Sequence, residues 1–216
     1  MIVRTRLLAA TAILVGLAGC RSTGEIVVDE GVGISALRSA CPAVGIPDYT
    51  GDVTLFRTPG STDATAIDLT ATMTNVRTQC NEGGEKIYAN ASFDVLARRS
   101  DTRGARQVVL PYFVTVLRGG TAVISKRVGS VTVNFADGQE RAQVSGQGAS
   151  YIDRAEATLP ADIRAQITRK RKAGDVDAAV DPLSQPEVKA AVARANFEML
   201  LGFQLNEQQL SYNATR

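Results

Sequence analysis

No histidine occurs in the chain. That absence removes Ser-His-Asp and Cys-His catalysis and every zinc site that needs an imidazole ligand. A Ser-Lys nucleophile at S-x-x-K spacing works without histidine, but that spacing does not occur, and neither does G-x-S-x-G. Hydrolysis then falls to two carboxylates acting as acid and base. The acids, 22 in all, are scattered, and the sequence pairs no two of them. On paper, Gly31-Val32-Gly33-Ile34-Ser35-Ala36 matches the glycine turn of a dinucleotide site. Such a turn needs a following helix, a second parallel strand and an acid at that strand's end. Antiparallel β-type sequence follows instead, so the stretch reads as part of a loose tether.

The other charged motifs are basic. Arg98, Arg99, Arg103 and Arg106 surround a hairpin tip, and Arg169-Lys170-Arg171-Lys172 ends a helix. Of these, Arg98, Arg99, Arg169, Lys170, Arg171 and Lys172 are the candidate anion-binding residues. On anionic headgroups or an acidic partner, each such cation adds about 1 kcal/mol. Solvation accounts for the same residues, because cations suit a helix C-terminus and basic tips blunt strand edges. No metal ligands and no catalytic residues are assigned.

The elements that must position these groups are mostly β. Asp52 to Phe56 is a short strand closed by Pro59-Gly60. Ala66 to Val76 alternates, with Ile67, Leu69, Ala71 and Met73 on one face. Lys86 to Ala97 alternates again through Ile87, Ala89, Ala91, Phe93, Val95 and Ala97. Val108 to Leu117, Ala122 to Val128, Val131 to Phe135 and Arg141 to Ser145 follow, separated by turn residues such as Gly119-Gly120 and Asp137-Gly138. Period-two patterns with turns about every ten residues predict an antiparallel β-sandwich, Ig-like or related, over 50–150. Pro111 predicts an edge strand or a bulge for Val108 to Leu117.

The period changes in the last third, so 158–212 is expected to be helical. One helix starts at Pro160 and runs to about Lys172. A second runs from Ser184 to Phe203, with Ser184 to Glu187 at capping-box spacing and Phe197, Met199, Leu200, Leu201 and Phe203 broadening its apolar face. That face is expected to be buried on the sandwich. Asn206 to Gln209 offers a cap for a last short turn. The sequons at Asn90 and Asn213 are read as chance.

At the amino terminus, Arg4 and Arg6 precede Leu7 to Gly19, a run without charge that ends in Leu17-Ala18-Gly19-Cys20. A charged start, a short apolar core and small residues before a break form a secretory signal. The run is too short for the roughly 20 residues of a membrane-spanning helix. The Leu-Ala-Gly-Cys motif resembles the lipobox of bacterial lipoproteins, and the chain resembles the uncharacterised envelope lipoproteins of Gram-negative bacteria. The resemblance covers the first twenty residues. It implies cleavage after residue 19, a diacylglyceryl thioether on Cys20 and acylation of the new amino group. Several acyl chains meet the two-signal requirement for stable anchoring. In that family an Asp after the lipidated cysteine favours the inner membrane. Arg21 stands here, which implies the outer membrane, facing the periplasm.

With Cys20 given to lipid, Cys41 and Cys80 remain, and two cysteines in an oxidising compartment are expected to form a disulfide. Closing a loop of about 40 residues stabilises by roughly 4 kcal/mol in the chain-entropy model. Removing residues 1–19 takes Arg4 and Arg6 and no acid, so the 24 basic residues fall to 22 against 22 acidic ones. A formally neutral mature chain argues against nucleic-acid binding. Its few aromatics lower the weight of sugar stacking. The expected organisation is a signal peptide at 1–19, a lipidated tether at 20–36 and one domain at 37–216. The expected function is a membrane-anchored binding or structural module of the envelope, with an envelope protein as partner and no cofactor beyond the lipid. The alternatives are a carboxylate-based hydrolase of an envelope polymer and a small-ligand carrier.

Overall fold

Alternation of apolar and polar residues survives along most of the chain as alternation of buried and exposed side chains. A computed structural model describes residues 39–172 and 174–216. The signal peptide, Cys20, the tether and the Gly31 to Ala36 turn all lie outside the described residues. The strands are β1 (Ala43–Gly45), β2 (Asp52–Phe56), β3 (Ile67–Asn81), β4 (Lys86–Arg99), β5 (Arg106–Arg118), β6 (Ala122–Phe135) and β7 (Arg141–Asp153). Then come α1 (Ala161–Thr168), α2 (Pro186–Ala195), β8 (Phe197–Phe203) and α3 (Glu207–Thr215).

The first sheet has the order β1-β8-β5-β6 and the second β2-β3-β4-β7. Every pairing is antiparallel except β1 with β8. This is the expected mostly-β sandwich. Its core joins Leu69, Met73, Phe93 and Val95 of the second sheet to Leu110, Val116, Val133, Met199 and Leu201 of the first. In β4 all six predicted inward residues, Ile87 to Ala97 at every second position, are buried. A smaller core of Ile163, Ile167, Val188 and Ala191 joins α1 to α2.

Two glycines set how closely the sheets approach. Gly146 and Gly148 of β7 leave room for the Phe93 ring and for the Val114 side chain of the opposite sheet, where a Cβ would collide. Tyr112 of β5 lies over Gly129 of β6, and its hydroxyl donates to the Gln147 carbonyl of β7 at 2.7 Å. These contacts explain two corrections. Ala122 to Phe135 is one strand, since Gly129 serves as a seat for the tyrosine and not as a turn. β7 runs on to Asp153 instead of stopping at Ser145, since its glycines pack within the strand.

Pro111 does not mark an edge. β5 is an inner strand, and Pro111 sits one residue beyond the start of its β8 pairing at Tyr112, where a missing N–H breaks no ladder bond. The register shift with β6 falls between Val116 and Leu117, away from the proline. The helix expected over Ser184 to Phe203 also needs correction. α2 ends at Ala195, and β8 returns to the middle of the first sheet with Phe197, Met199, Leu201 and Phe203 inward. The helical stretch at 158–212 is therefore interrupted by a core strand. The cap of α2 is Gln185, without a side-chain bond, while Asp181 caps the 3-10 turn Pro182–Ser184. A capping box does form at α3, between Asn206 and Gln209. α1 is shorter than expected: Pro160 is its N-cap, and it stops at Thr168, ahead of the basic run.

Phe197 is buried by the sandwich. Phe197→Ala is expected to cost about 3 to 5 kcal/mol as a core truncation. A thermal melt reads this, and a loss below about 0.5 kcal/mol would remove the strand from the core.

Candidate functional site

Cys41 and Cys80 form a disulfide, with Cα atoms 6.1 Å apart. It joins the segment before β1 to the end of β3, which runs past the expected limit at Val76. Glu82 closes this corner, accepting from the Ser39 hydroxyl at 2.6 Å and the Cys41 N–H at 3.2 Å.

The basic hairpin tip is consumed internally. Arg99 is 1% exposed, and its guanidinium donates to the carbonyls of Gln139, Gly104, Thr102 and Ala136 at 2.7–2.8 Å. It lies 5.2 Å over the Phe135 ring centroid. One buried cation thus ties the β4–β5 turn to the β6–β7 turn, and Asp137 adds a bond to the Gly104 N–H at 2.6 Å. Arg103 pairs with Asp101, and Arg106 forms a two-pronged pair with Asp68 at 2.6 and 2.7 Å. Four of the five guanidinium N–H groups are thus taken by backbone carbonyls, and its burial keeps Arg99 from a surface anion.

The second basic cluster lies beyond α1. Arg169 pairs with Asp177, and the Arg171 side chain, buried, reaches the same carboxylate at 3.6 Å and the Gln166 carbonyl at 3.2 Å. Lys170 and Lys172 remain on the surface. The expected anion site is thus reduced to these two lysines and Arg98, each cluster otherwise closing on its own neighbours.

Arg98 belongs to a different constellation. On the outer face of the second sheet, Arg98 stands directly opposite Arg141 in the β4–β7 register, and beside them Leu96 faces Gln143. Thr70 and Thr72 of β3 lie opposite Arg98 and Leu96. These six residues line a shallow depression of about 530 Å3. Like charges directly opposite are destabilising in a sheet. Glu140 relieves one, pairing with Arg98 at 2.5 Å. The Arg141 guanidinium makes no hydrogen bond or ion pair among the described residues. The depression therefore offers one free planar donor, flanked by amide and hydroxyl groups, which suits a carboxylate or phosphate oxygen. Arg141 was missed in the sequence because its partner strand is 43 positions away in the Arg98 pairing.

The carboxyl groups displaced from their ordinary range are all held below it. Hydrogen bonds from Arg106 lower Asp68, those from Asn75 and Ser145 lower Asp94, those from Arg103 lower Asp101, and those from Thr65 lower Asp63. A glycosidase-type acid needs a raised value at one carboxyl. None of these four provides it.

The fold and depression define a two-sheet sandwich with a polar, arginine-bearing outer face. No family model, no curated protein and no solved structure matches the chain. Among the described residues, no helix is long and apolar enough to cross a membrane.

The Asp68–Arg106 pair gives a pH test. A depressed folded-state pKa adds stability above the unfolded value of about 3.9, and this is lost as pH falls through the folded value. Asp68→Asn is expected to melt below the parent at pH 6, with the gap shrinking once pH drops below about 4. A gap that stays constant from pH 6 to pH 2 would mean the pair contributes nothing through ionisation.

Proposed function

We propose that this chain is a lipid-anchored protein of the bacterial cell envelope, held by acyl chains on Cys20, whose sandwich acts as a non-enzymatic binding or structural module. The observation that carries this reading is the Cys41–Cys80 disulfide. Structural disulfides persist where the compartment is oxidising, as in the periplasm. The bond also leaves Cys20 as the odd cysteine, and Cys20 is the one that follows Leu17-Ala18-Gly19. Arg21 supports the outer membrane, facing the periplasm.

The partner in this reading is another envelope component, protein or polymer, bearing anionic oxygens. It docks on the outer face at Arg141, beside the Arg98–Glu140 pair. The membrane is the second partner, engaged through the covalent lipid.

Labelling of growing cells with radioactive palmitate tests the anchor. The parent is expected to take up label and to stay with carbonate-washed membranes. Cys20→Ala is expected to lose both and to accumulate as precursor or soluble protein. Undiminished membrane retention of the variant would sink the reading.

A further inference from the structure

The longer of the two edge strands of the first sheet is β6, which pairs with β5 on one side and, among the described residues, with no strand on the other. Such an edge presents unpaired N–H and C=O groups to any extended segment. On β6 it also carries large apolar side chains: Val123 is 63% exposed, Ile124 51% and Val128 61%. Between them stand two cations. Lys126 lies 5.3 Å over the Phe113 ring centroid, and Arg127 is exposed without a hydrogen bond or ion pair among the described residues. An occupant must therefore be extended, apolar and acidic. A second copy pairing through the same stretch sets Lys126 and Arg127 against their own counterparts, and like charges directly opposite are destabilising.

One segment of this chain has the required chemistry. Glu25-Ile26-Val27-Val28-Asp29-Glu30 places three β-branched residues between acids. Laid antiparallel on β6, it sets Asp29 across from Lys126 and Val27 across from Val128. The connection also closes. β1 and β6 run in the same direction, since β1 is parallel to β8, and both β8 and β6 are antiparallel to β5. A strand antiparallel to β6 thus ends at the edge of the sheet where β1 begins. There the register row is Ala43, Glu198, Leu117, Val123. Three strand spacings separate its ends and a fourth reaches the added strand, about 19 Å in all. The backbone from Glu30 to Ser39 spans up to roughly 30 Å, and Gly31 and Gly33 at its start suit the reversal.

We propose that residues 25–30 add to the free edge of β6 as an antiparallel strand. The docking stands independently of the anchor. With the lipid on Cys20, a consequence that rests on the proposed function, residues 21–24 alone separate the membrane from the sheet. That is a reach of roughly 15 Å, and it holds the sandwich close to the bilayer.

Disulfide trapping in the full chain carrying Cys20→Ala tests the docking without reference to lipidation. Val27→Cys is combined with Val128→Cys, or with Val176→Cys as an exposed control. After mild oxidation, peptide mass spectrometry of the monomer is expected to find the 27–128 bond at least tenfold above the 27–176 bond. A second readout is hydrogen exchange at residues 122–130. Asp29→Lys is expected to speed it at least tenfold, and Lys126→Asp in the same chain to slow it again. Equal trapping of the two pairs overturns the proposal. So does a 27–128 bond found only between chains, which would assign the edge to a second copy, and so does exchange indifferent to Asp29→Lys.

Discussion

The first sheet depends on β8. It lies between β1 and β5 and supplies backbone partners to both, so the sheet is discontinuous until it arrives. Four of its seven side chains, Phe197, Met199, Leu201 and Phe203, point into the core. Gly202, on the other face, lets the loop at Thr50 lie against the strand, and the Phe203 N–H donates to the Thr50 carbonyl at 2.8 Å. β1 and β8 come from opposite ends of the described chain, so loop closure precedes the stabilising contacts. Such non-local pairing slows folding. α2 delivers β8 to its place: its last turn lies by the β5–β6 turn, where the Gly119 N–H donates to the Asn196 carbonyl at 2.9 Å.

Strands with one wet face were legible in the sequence. β3 and β4 alternate, and their predicted inward residues from Leu69 onward are buried. β8 was not legible, because a strand inside a sheet shows a near-continuous apolar run, and a run that follows a genuine helix continues its period by chance. Pro111 misled for a related reason: the rule concerns a missing donor, and an inner strand has places where that donor would be unpaired. The disulfide followed from counting cysteines. The role of Arg99 did not, because its acceptors are backbone carbonyls, which every residue type provides. The candidate depression was half visible, through Arg98; Arg141 joins it only when the β4–β7 register is known.

Part of the charge is paired within the molecule. Asp68, Asp101, Glu140 and Asp177 each take an arginine, and a buried guanidinium joins two turns. The exposed pairs contribute little, whereas the carbonyls gathered around buried Arg99 would be left without donors if it were removed. Other cations, among them Arg141, Lys126 and Arg127, have no such partner among the described residues and give particular surfaces a polarity that the neutral composition hides.

The Cys41–Cys80 bond has a mechanical consequence. Tension on the backbone upstream of Ser39 reaches the domain at Cys41, where the covalent path forks. One branch leads to β1, which holds to β8 through three register positions and can peel. The other crosses the sulfurs into β3, whose long pairing with β4 lies within the second sheet. A pull able to strip β1 would thus be passed to the second sheet, entering β3 at Cys80 opposite Ala89 of β4 and meeting β2 only further along the strand, at residues 67–72.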